Sequence, residues 1–153
     1  MTKPGLRDAC AGDWPFVERL YMEALVEGHA YGEADAATHV SERRERWKLE
    51  GAYAIVATEA EQPLGVVWVL RDTVAAGCDY VQLIAADRPY RRRGIAEALL
   101  RAAIERSRRR GRERLRAGVH RLNRPSLRLF EALGFRAENA DAELLMMSFA
   151  LGA

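Results

Sequence analysis

The chain has 153 residues, of which 49% are hydrophobic and 30% charged, a balance typical of one soluble globular domain. No apolar run approaches the roughly 20 residues that a membrane helix needs, and the N-terminal stretch lacks the apolar segment of a secretory signal. The two cysteines, Cys10 and Cys78, are too few for a disulfide framework, so we expect reduced thiols. These features exclude a disulfide-stapled secreted protein and a membrane-spanning protein, and they favour the cytoplasm.

The first half of the chain alternates between helical and extended patterns. A helix is predicted to begin near Asp13 and to end at Gly28, and a weaker second helix over residues 35–50 is closed by Gly51. Residues 59–63 read as a hairpin turn. The strands predicted in this half cover residues 6–9, 52–58, 64–70 and 79–85.

The second half begins with a long helix, predicted from Arg92 to Arg110 because apolar residues recur on one face. A shorter helix is predicted to open at Asn123 and to end at Gly134. The strands predicted in this half cover residues 115–119, 135–136 and 144–149. The order of elements predicts a single α/β domain.

Arginine is concentrated between residues 88 and 136, although the net charge of the chain is only +2. A local basic field suits a polyanionic ligand, either a nucleotide-like cofactor or a nucleic acid. It also suits a solvated helix face. Charge alone does not choose among these three interpretations.

The start of the long helix is a candidate anion site. Backbone N–H groups at a helix start have no partner within the helix, and the helix dipole adds partial positive charge there. Gly94 and Ala96 leave room for a phosphate to approach the backbone, and Arg91, Arg92 and Arg93 surround it with positive charge. The alternative is that Gly94 only eases a turn from strand to helix.

Two segments resemble signatures of the GCN5-related N-acetyltransferase family. Residues 83–96 resemble its central motif, in which a strand is followed by Gln/Arg-x-x-Gly-x-Gly/Ala at a helix start. Arg91, Gly94 and Ala96 match the three fixed positions of that motif. Residues 123–135 are similar to a second signature, in which an Asn opens a helix that ends in Leu-Gly-Phe.

The resemblance extends loosely over residues 4–150 and implies the acyl-CoA N-acyltransferase fold. That fold is a single α/β domain, with a central mixed, mostly antiparallel sheet of about six to seven strands flanked by about four helices. It implies that the sheet splays between the strands at 79–85 and 115–119, and that acetyl-CoA (coenzyme A) enters the gap. The implied activity is transfer of the acetyl group to a primary amine of a small molecule or peptide, by direct attack on the thioester.

The resemblance also assigns cofactor residues. It places the pantetheine arm along the backbone at 84–86 and the pyrophosphate in the turn at 91–96. It places Asn123 near the cofactor and Phe130 near the thioester sulfur. The implied cofactor-binding residues are Ile84, Ala85, Ala86, Arg91, Arg92, Arg93, Gly94, Ile95, Ala96, Asn123 and Phe130.

The chemistry needs an uncharged amine, and a lysine-like amine has a pKa near ~10.4 in water. Asp79, at the start of a strand, is the first candidate for a general base. The backbone N–H of Ile84 could stabilise the oxyanion. The family's usual proton donor is a tyrosine, but Phe130 occupies that position and cannot donate. A thiolate of pKa about 8.5 can leave unassisted.

Acceptor recognition is predicted in the segment 27–35, where Tyr31 and Glu33 suit a cationic amine, unless this is only a solvated loop. The three histidines, His29, His39 and His120, lack metal-ligand spacing, so no metal site is predicted.

Two other functions stay open at this point. Because Phe130 cannot donate a proton, a non-catalytic or regulatory domain that binds coenzyme A is one alternative. A nucleic-acid-associated protein is the weakest hypothesis, because the arginine-rich helix lacks interleaved aromatic residues. The apolar strand at 144–149 predicts an exposed sheet edge and, through it, a homodimer.

Overall fold

The computed structural model describes residues 3–28 and 31–152, which form a seven-stranded sheet with helices on both faces. The strands are β1 (Gly5–Asp8), β2 (Tyr53–Glu59), β3 (Gln62–Arg71), β4 (Cys78–Ala86), β5 (Arg114–His120), β6 (Arg136–Ala137) and β7 (Leu144–Ala150). The helices are α1 (Trp14–Glu27), α2 (Glu33–Arg43), α3 (Ile95–Arg109) and α4 (Arg124–Ala132). Short 3-10 segments cover Ala11–Asp13, Arg44–Lys48 and Arg88–Tyr90.

The sheet has the strand order β1-β2-β3-β4-β5-β7-β6. Every neighbouring pair is antiparallel except β4 and β5, which run parallel. The predicted mixed, mostly antiparallel sheet is therefore confirmed, as is the predicted number of strands and helices. No helix among the described residues is both long enough and apolar enough to cross a bilayer.

The pairing of β4 with β5 covers only the first part of β4. It runs from Cys78 opposite Arg114 to Tyr80 opposite Arg116 and then ends. Both strands continue beyond this point, β4 as far as Ala86, which still pairs with β3. A gap therefore opens in the sheet between the far halves of β4 and β5.

The two faces of the sheet carry separate hydrophobic cores. On one face, α3 buries the apolar stripe predicted for it, with Leu99 and Leu100 fully enclosed. Full burial of a leucine side chain stabilises the fold by about 1.5–3 kcal/mol. On the other face, Trp68 of β3 packs edge-on against Trp14 and Trp47, with ring centroids 5.8 and 5.5 Å apart. The two cores fix the positions of α1 and α3 on either side of the gap.

The second helix is shorter than predicted. It ends at Arg43, and the chain continues as the 3-10 segment Arg44–Lys48 instead of an α-helix to residue 50. The 3-10 segment carries Trp47 to within 5.5 Å of the Trp14 ring, so aromatic packing competes with the helical pattern here.

The expectation that the apolar C-terminal strand forms an exposed edge is wrong. In the sheet, β7 lies between β5 and β6. Beyond the short β6, the Asn139 side chain accepts a hydrogen bond from the Met146 backbone N–H at 2.7 Å. It also donates to the Leu144 carbonyl at 3.1 Å. The middle of β7 is thus paired within the chain on its outer side as well, which removes the argument for a dimer built on an exposed edge at this strand.

Candidate active site

A cavity of about 810 Å³ opens where β4 and β5 separate. Its wall is formed by the far half of β4, the turn and first residues of α3, the start of α4 and the end of α1. The lining residues are Ala24, Glu27, Gly28, Ile84, Ala85, Ala86, Arg91, Arg92, Gly94, Ile95, Ala96, Leu122, Asn123, Pro125, Ser126, Arg128 and Leu129. The cavity thus brings together most of the residues that the sequence assigned to the cofactor, with Arg93 and Phe130 as the exceptions.

The turn before α3 has the geometry of an anion site. Gly94 has φ 75° and Arg92 has φ 65°, both in the left-handed region, and turns of this kind direct successive N–H groups to one side. The first hydrogen bond into α3 runs from the Ala98 amide to the Gly94 carbonyl at 3.0 Å. The amides of Ile95 and Ala96 therefore precede the helical ladder. A Cβ placed on Gly94 meets no atom within 4 Å.

Two of the arginines that line the cavity are unpaired. Arg92 and Arg128 have no carboxylate oxygen within 4.0 Å in the part of the chain that the structure describes. Arg93, in contrast, forms an ion pair with Glu59 at 2.7 Å and lies outside the cavity lining. Arg92 and Arg128 can therefore supply charge to an anionic group in the cavity.

Glu27 brings a carboxylate to the mouth of this positively charged region. It pairs with Arg88 at 2.7 Å and with Arg91 at 2.8 Å. The hydrogen bond from Arg91 lowers the pKa of Glu27, so the carboxylate stays charged at neutral pH. Arg91 is therefore partly neutralised by Glu27, whereas Arg92 is not.

The start of α4 closes the cavity against the end of α1. Asn123 caps α4, its side-chain oxygen accepting from the Ser126 amide at 3.4 Å. Gly28 approaches so closely that a Cβ would lie 2.8 Å from the Asn123 side-chain nitrogen and 2.7 Å from the Ala24 carbonyl. A glycine is therefore favoured at this contact between α1 and α4.

Phe130 belongs to the core. It is 2% exposed, and its ring lies 4.9 Å from that of Phe135. Its neighbour Leu129, which is partly buried, lines the cavity instead. The proximity of Phe130 to a thioester sulfur stays a prediction.

Asp79 lies at the paired end of β4, outside the cavity lining, and is fully buried. Its Oδ1 accepts from Arg110 at 2.8 Å and from Arg112 at 3.0 Å. Its Oδ2 accepts from Ser107 at 2.5 Å and from Arg110 at 3.0 Å. All the acceptor positions of the carboxylate are therefore taken, which argues against a role as general base.

A chain of hydrogen bonds lies beside the cavity on the α1 and α2 face; we call its residues, Arg46, Gln82, Tyr21 and His39, the Gln82 network. Arg46 donates to the Gln82 side-chain oxygen at 3.1 Å, and the Gln82 amide donates to the Tyr21 hydroxyl. The Tyr21 hydroxyl lies 2.9 Å from His39 Nε2. Because arginine cannot accept and Tyr21 already accepts from Gln82, Tyr21 donates to an unprotonated His39 Nε2.

The charge state of His39 agrees with this direction. Burial, together with the positive charges of Arg43 and Arg46, lowers the pKa of His39 to about 4. Burial raises the pKa of Tyr21 to about 12. Both side chains are therefore neutral at physiological pH.

The two residues predicted to bind the acceptor differ in position. Tyr31 is exposed, but its ring lies 4.6 Å from the ring of His39, beside the Gln82 network. Glu33 is exposed at the first residue of α2. Sequence patterns indicate Tyr31 but not Arg46 or His39. The contact between Arg46 and Gln82 joins residues 36 positions apart, so no local pattern shows it.

Tyr80 spans the start of the gap. The phenol oxygen of this β4 residue reaches β5, where it lies 2.9 Å from the position that a Cβ on Gly118 would take. Burial raises the pKa of Tyr80.

In the described residues there is no group of three or more His, Cys, Asp or Glu side chains placed to hold a metal ion. His29 lies outside those residues.

Comparison with known proteins identifies the family. The model of the Acetyltransferase (GNAT) family matches residues 14–135. This span includes the cavity, α3 and α4. The chain belongs to the GNAT acetyltransferase family, as the two sequence signatures predicted.

Solved structures agree with this fold at low sequence identity. The PaiA N-acetyltransferase from Thermoplasma acidophilum, in complex with coenzyme A, is 17% identical with a TM-score of 0.79, covering 97% of this chain and 99% of that one. A GCN5-related N-acetyltransferase from Kribbella flavida is 22% identical with a TM-score of 0.77, covering 95% and 96%. The ribosomal-protein-S18-alanine N-acetyltransferase from Escherichia coli is 21% identical with a TM-score of 0.71, covering 97% and 94%. No curated protein matches the sequence at a significant level.

Proposed function

We propose that this protein is an N-acetyltransferase that binds acetyl-CoA in the cavity between β4 and β5 and acetylates a primary amine. The observation that carries the proposal is the cavity itself, which joins the part of β4 that has no β5 partner to the free amides at the start of α3. Family membership supports the reaction class, and the coenzyme A bound to the PaiA enzyme supports the ligand.

The residues present fit such a ligand. The open space at Gly94 and the amides of Ile95 and Ala96 suit a pyrophosphate, which the guanidinium groups of Arg92 and Arg128 would neutralise. The backbone of residues 84–86 has no strand on its β5 side, so its free groups can bond to the amide-containing pantetheine arm.

When bound, acetyl-CoA would supply the acetyl group as a thioester for transfer to the uncharged amine nitrogen, with the coenzyme A thiolate as the leaving group and the proton of the nitrogen passing to solvent. The protein would hold the carbonyl beside the backbone N–H of Ile84, where the developing oxyanion gains a hydrogen bond. No acid is assigned to the sulfur, because a thiolate leaves unassisted. Asp79 is not assigned as the base, since its lone pairs are taken by arginines and Ser107.

The test compares two glycines with matched geometry. Gly94 and Gly111 both have φ 75° and open space where a Cβ would stand, but they lie at opposite ends of α3. Both Trp variants carry similar backbone strain, whereas only Gly94→Trp places an indole in the cavity. Titration calorimetry with acetyl-CoA should show no measurable binding to Gly94→Trp and near-normal binding to Gly111→Trp. Equal affinities would remove the cavity as the acetyl-CoA site.

A thiol-release assay over small amines and peptides then separates an enzyme from a binding domain. Amine-dependent release of free coenzyme A is the expected result. Tight binding without turnover across the panel would favour the regulatory alternative. The cytoplasmic location and a homodimer stay predictions, and sedimentation at micromolar concentration tests the second.

A further inference from the structure

The Gln82 network lies next to the proposed acetyl-CoA cavity along two elements. On β4, Gln82 precedes the cavity residue Ile84 by two positions, about 7 Å along the strand. On α1, Tyr21 precedes the cavity residue Ala24 by three positions, about one helical turn. Gln82 also lies beyond Tyr80, in the part of β4 that does not pair with β5. The network therefore borders the inner end of the gap, where an acceptor would meet the thioester.

The network carries positive charge without a matching acid. Arg46 uses one nitrogen to bind the Gln82 oxygen, and no carboxylate of the described residues lies within 4.0 Å of it. The nearest acid to Arg43 is Glu42, at 3.7 Å and 67% exposed. Most other partly buried arginines of this chain are paired, as Arg112 is with Asp79. The remaining N–H donors of Arg46 are thus free to bind an anion.

We propose that the acceptor is a small amine that carries a carboxylate, such as a free amino acid, and that Arg46 binds this carboxylate. The proposal rests on the proposed acetyltransferase function and names its substrate class. It replaces the cationic acceptor expected from Tyr31 and Glu33, because Glu33 is exposed at the start of α2 and belongs to none of the contacts of the network. A planar guanidinium is suited to a carboxylate, with which it can form two parallel hydrogen bonds.

The same charge assists the chemistry. An ammonium group beside two guanidinium groups is destabilised by repulsion, so the amine loses its proton to solvent more readily. The uncharged amine then attacks, and no protein carboxylate is needed as a base. The positive charge of Arg43 and Arg46 thus serves both for binding the carboxylate and for activating the nitrogen of the same molecule.

The far side of the gap is apolar. Leu144 is 55% exposed, and its methyl groups lie 3.7–3.8 Å from where a Gly118 Cβ would stand, over the same position that the Tyr80 hydroxyl approaches. Tyr31 presents a second exposed ring, beside His39. This surface suits an amino acid with an apolar side chain, so leucine is the probe of choice.

The test measures thiol release with leucine and with leucinamide, which differ only in the carboxylate. The amine of leucinamide is less basic because it lacks the neighbouring negative charge, so this comparison is biased against the proposal. We expect kcat/KM to be roughly 10- to 100-fold higher for leucine, mainly through KM, as for a hydrogen bond to a charged group. Arg46→Ala should abolish the difference, and Arg46→Lys should retain part of it.

Arg44→Ala is the matched control, because Arg44 lies on the same 3-10 segment but over the Trp14 ring, at 6.0 Å. It should keep the preference for leucine. Arg46→Ala should remain folded at the assay temperature and should keep its affinity for acetyl-CoA, which separates a local loss from misfolding. The carboxylate could also come from the side chain of a peptide, and the dipeptides Leu-Asp and Leu-Ser test this source. We expect kcat/KM to be lower for both dipeptides than for leucine.

The outcomes separate this proposal from the proposed function. If acetyl-CoA binds and the protein acetylates leucinamide or polyamines as efficiently as leucine, the proposed substrate class is wrong but the proposed acetyltransferase function is supported. If acetyl-CoA does not bind, both fail. If it binds without any turnover, saturation-transfer NMR of leucine with the coenzyme A-saturated protein decides: binding that Arg46→Ala abolishes supports the carboxylate site, and absence of binding overturns it.

Discussion

The two halves of strand β4 have opposite surroundings. The first half, from Cys78 to Tyr80, pairs with strands on both sides and carries the fully buried Asp79, whose oxygens are all occupied. The second half, from Val81 to Ala86, pairs with β3 but has no β5 partner, and its last three residues, 84–86, line the cavity. The closed half fixes where the two strands meet, and the open half leaves backbone groups for a ligand. A single strand thus serves as both an anchor and a binding surface.

Removing Asp79 from the closed half of β4 should have the largest effect on the free energy of unfolding. Asp79→Ala leaves the Arg112 guanidinium without its buried partner, and breaking a buried ion pair costs about 3–5 kcal/mol. Asp72→Ala removes the other, half-exposed partner of Arg112 and should cost far less. Urea denaturation of both variants measures the difference in free energy of unfolding. Normal stability with lost turnover in Asp79→Ala would instead indicate a general base.

A smaller effect on stability is expected from protonating His39, beside the open half of β4. His39 has a folded-state pKa of about 4, below the ordinary 6.5, so the unfolded chain binds a proton that the folded chain does not. The free energy of unfolding should therefore fall as the pH is lowered from about 6.5 to about 4. Protonated His39 could not accept from Tyr21, and it would face Arg43, Arg46 and Glu42.

Other groups also titrate in this pH range, so the contribution of His39 is measured by comparing the wild-type protein with a variant at this position. His39→Gln retains an acceptor for the Tyr21 hydroxyl but has no charge change. Thermal melting across this pH range should show a larger acid loss for the wild-type protein than for His39→Gln. Parallel curves would show that the network does not hold His39 neutral.

The smallest effect is expected at the mouth of the cavity. Glu27→Gln removes the carboxylate that pairs with Arg88 and Arg91, so both guanidinium groups become available to a phosphate. Exposed ion pairs are worth about 0.2–1 kcal/mol, which predicts roughly two- to fivefold tighter acetyl-CoA binding. Glu23→Gln, which removes one of the two acidic partners of Arg19 on the same helix, is the control. Calorimetry at low salt measures both, and weaker binding by Glu27→Gln would mean that Glu27 positions Arg91 for the ligand.

The fold could be predicted almost completely from local patterns and two signatures. The stripe around Leu99 defines α3, and Gly94 and Asn123 mark the helix starts that border the cavity. The two wrong predictions, the end of α2 and the edge position of β7, concern features that depend on contacts between segments distant in sequence. The end of α2 depends on the packing of Trp47, and the status of β7 as an inner strand depends on the two-residue β6 and on Asn139.

The candidate site could be predicted in its cofactor half only. A helix start that receives an anion has a local signature, whereas Asp79 reads from sequence as an available carboxylate at a strand start. Its partners Arg110 and Arg112 lie more than 30 residues away, so their contact cannot be seen in the local pattern. The same holds for Arg46 and Gln82, which only the folded chain brings together.

The end of the β4–β5 pairing at Tyr80 also determines how the backbone exchanges hydrogen with solvent. Amides in the closed half are held by neighbouring strands and exchange only when the sheet opens. Amides of residues 81–86 that face the gap have no strand partner there, so they should exchange much faster. Deuterium uptake would therefore divide this one strand into a slow segment and a fast one, and a ligand that fills the gap would erase the boundary.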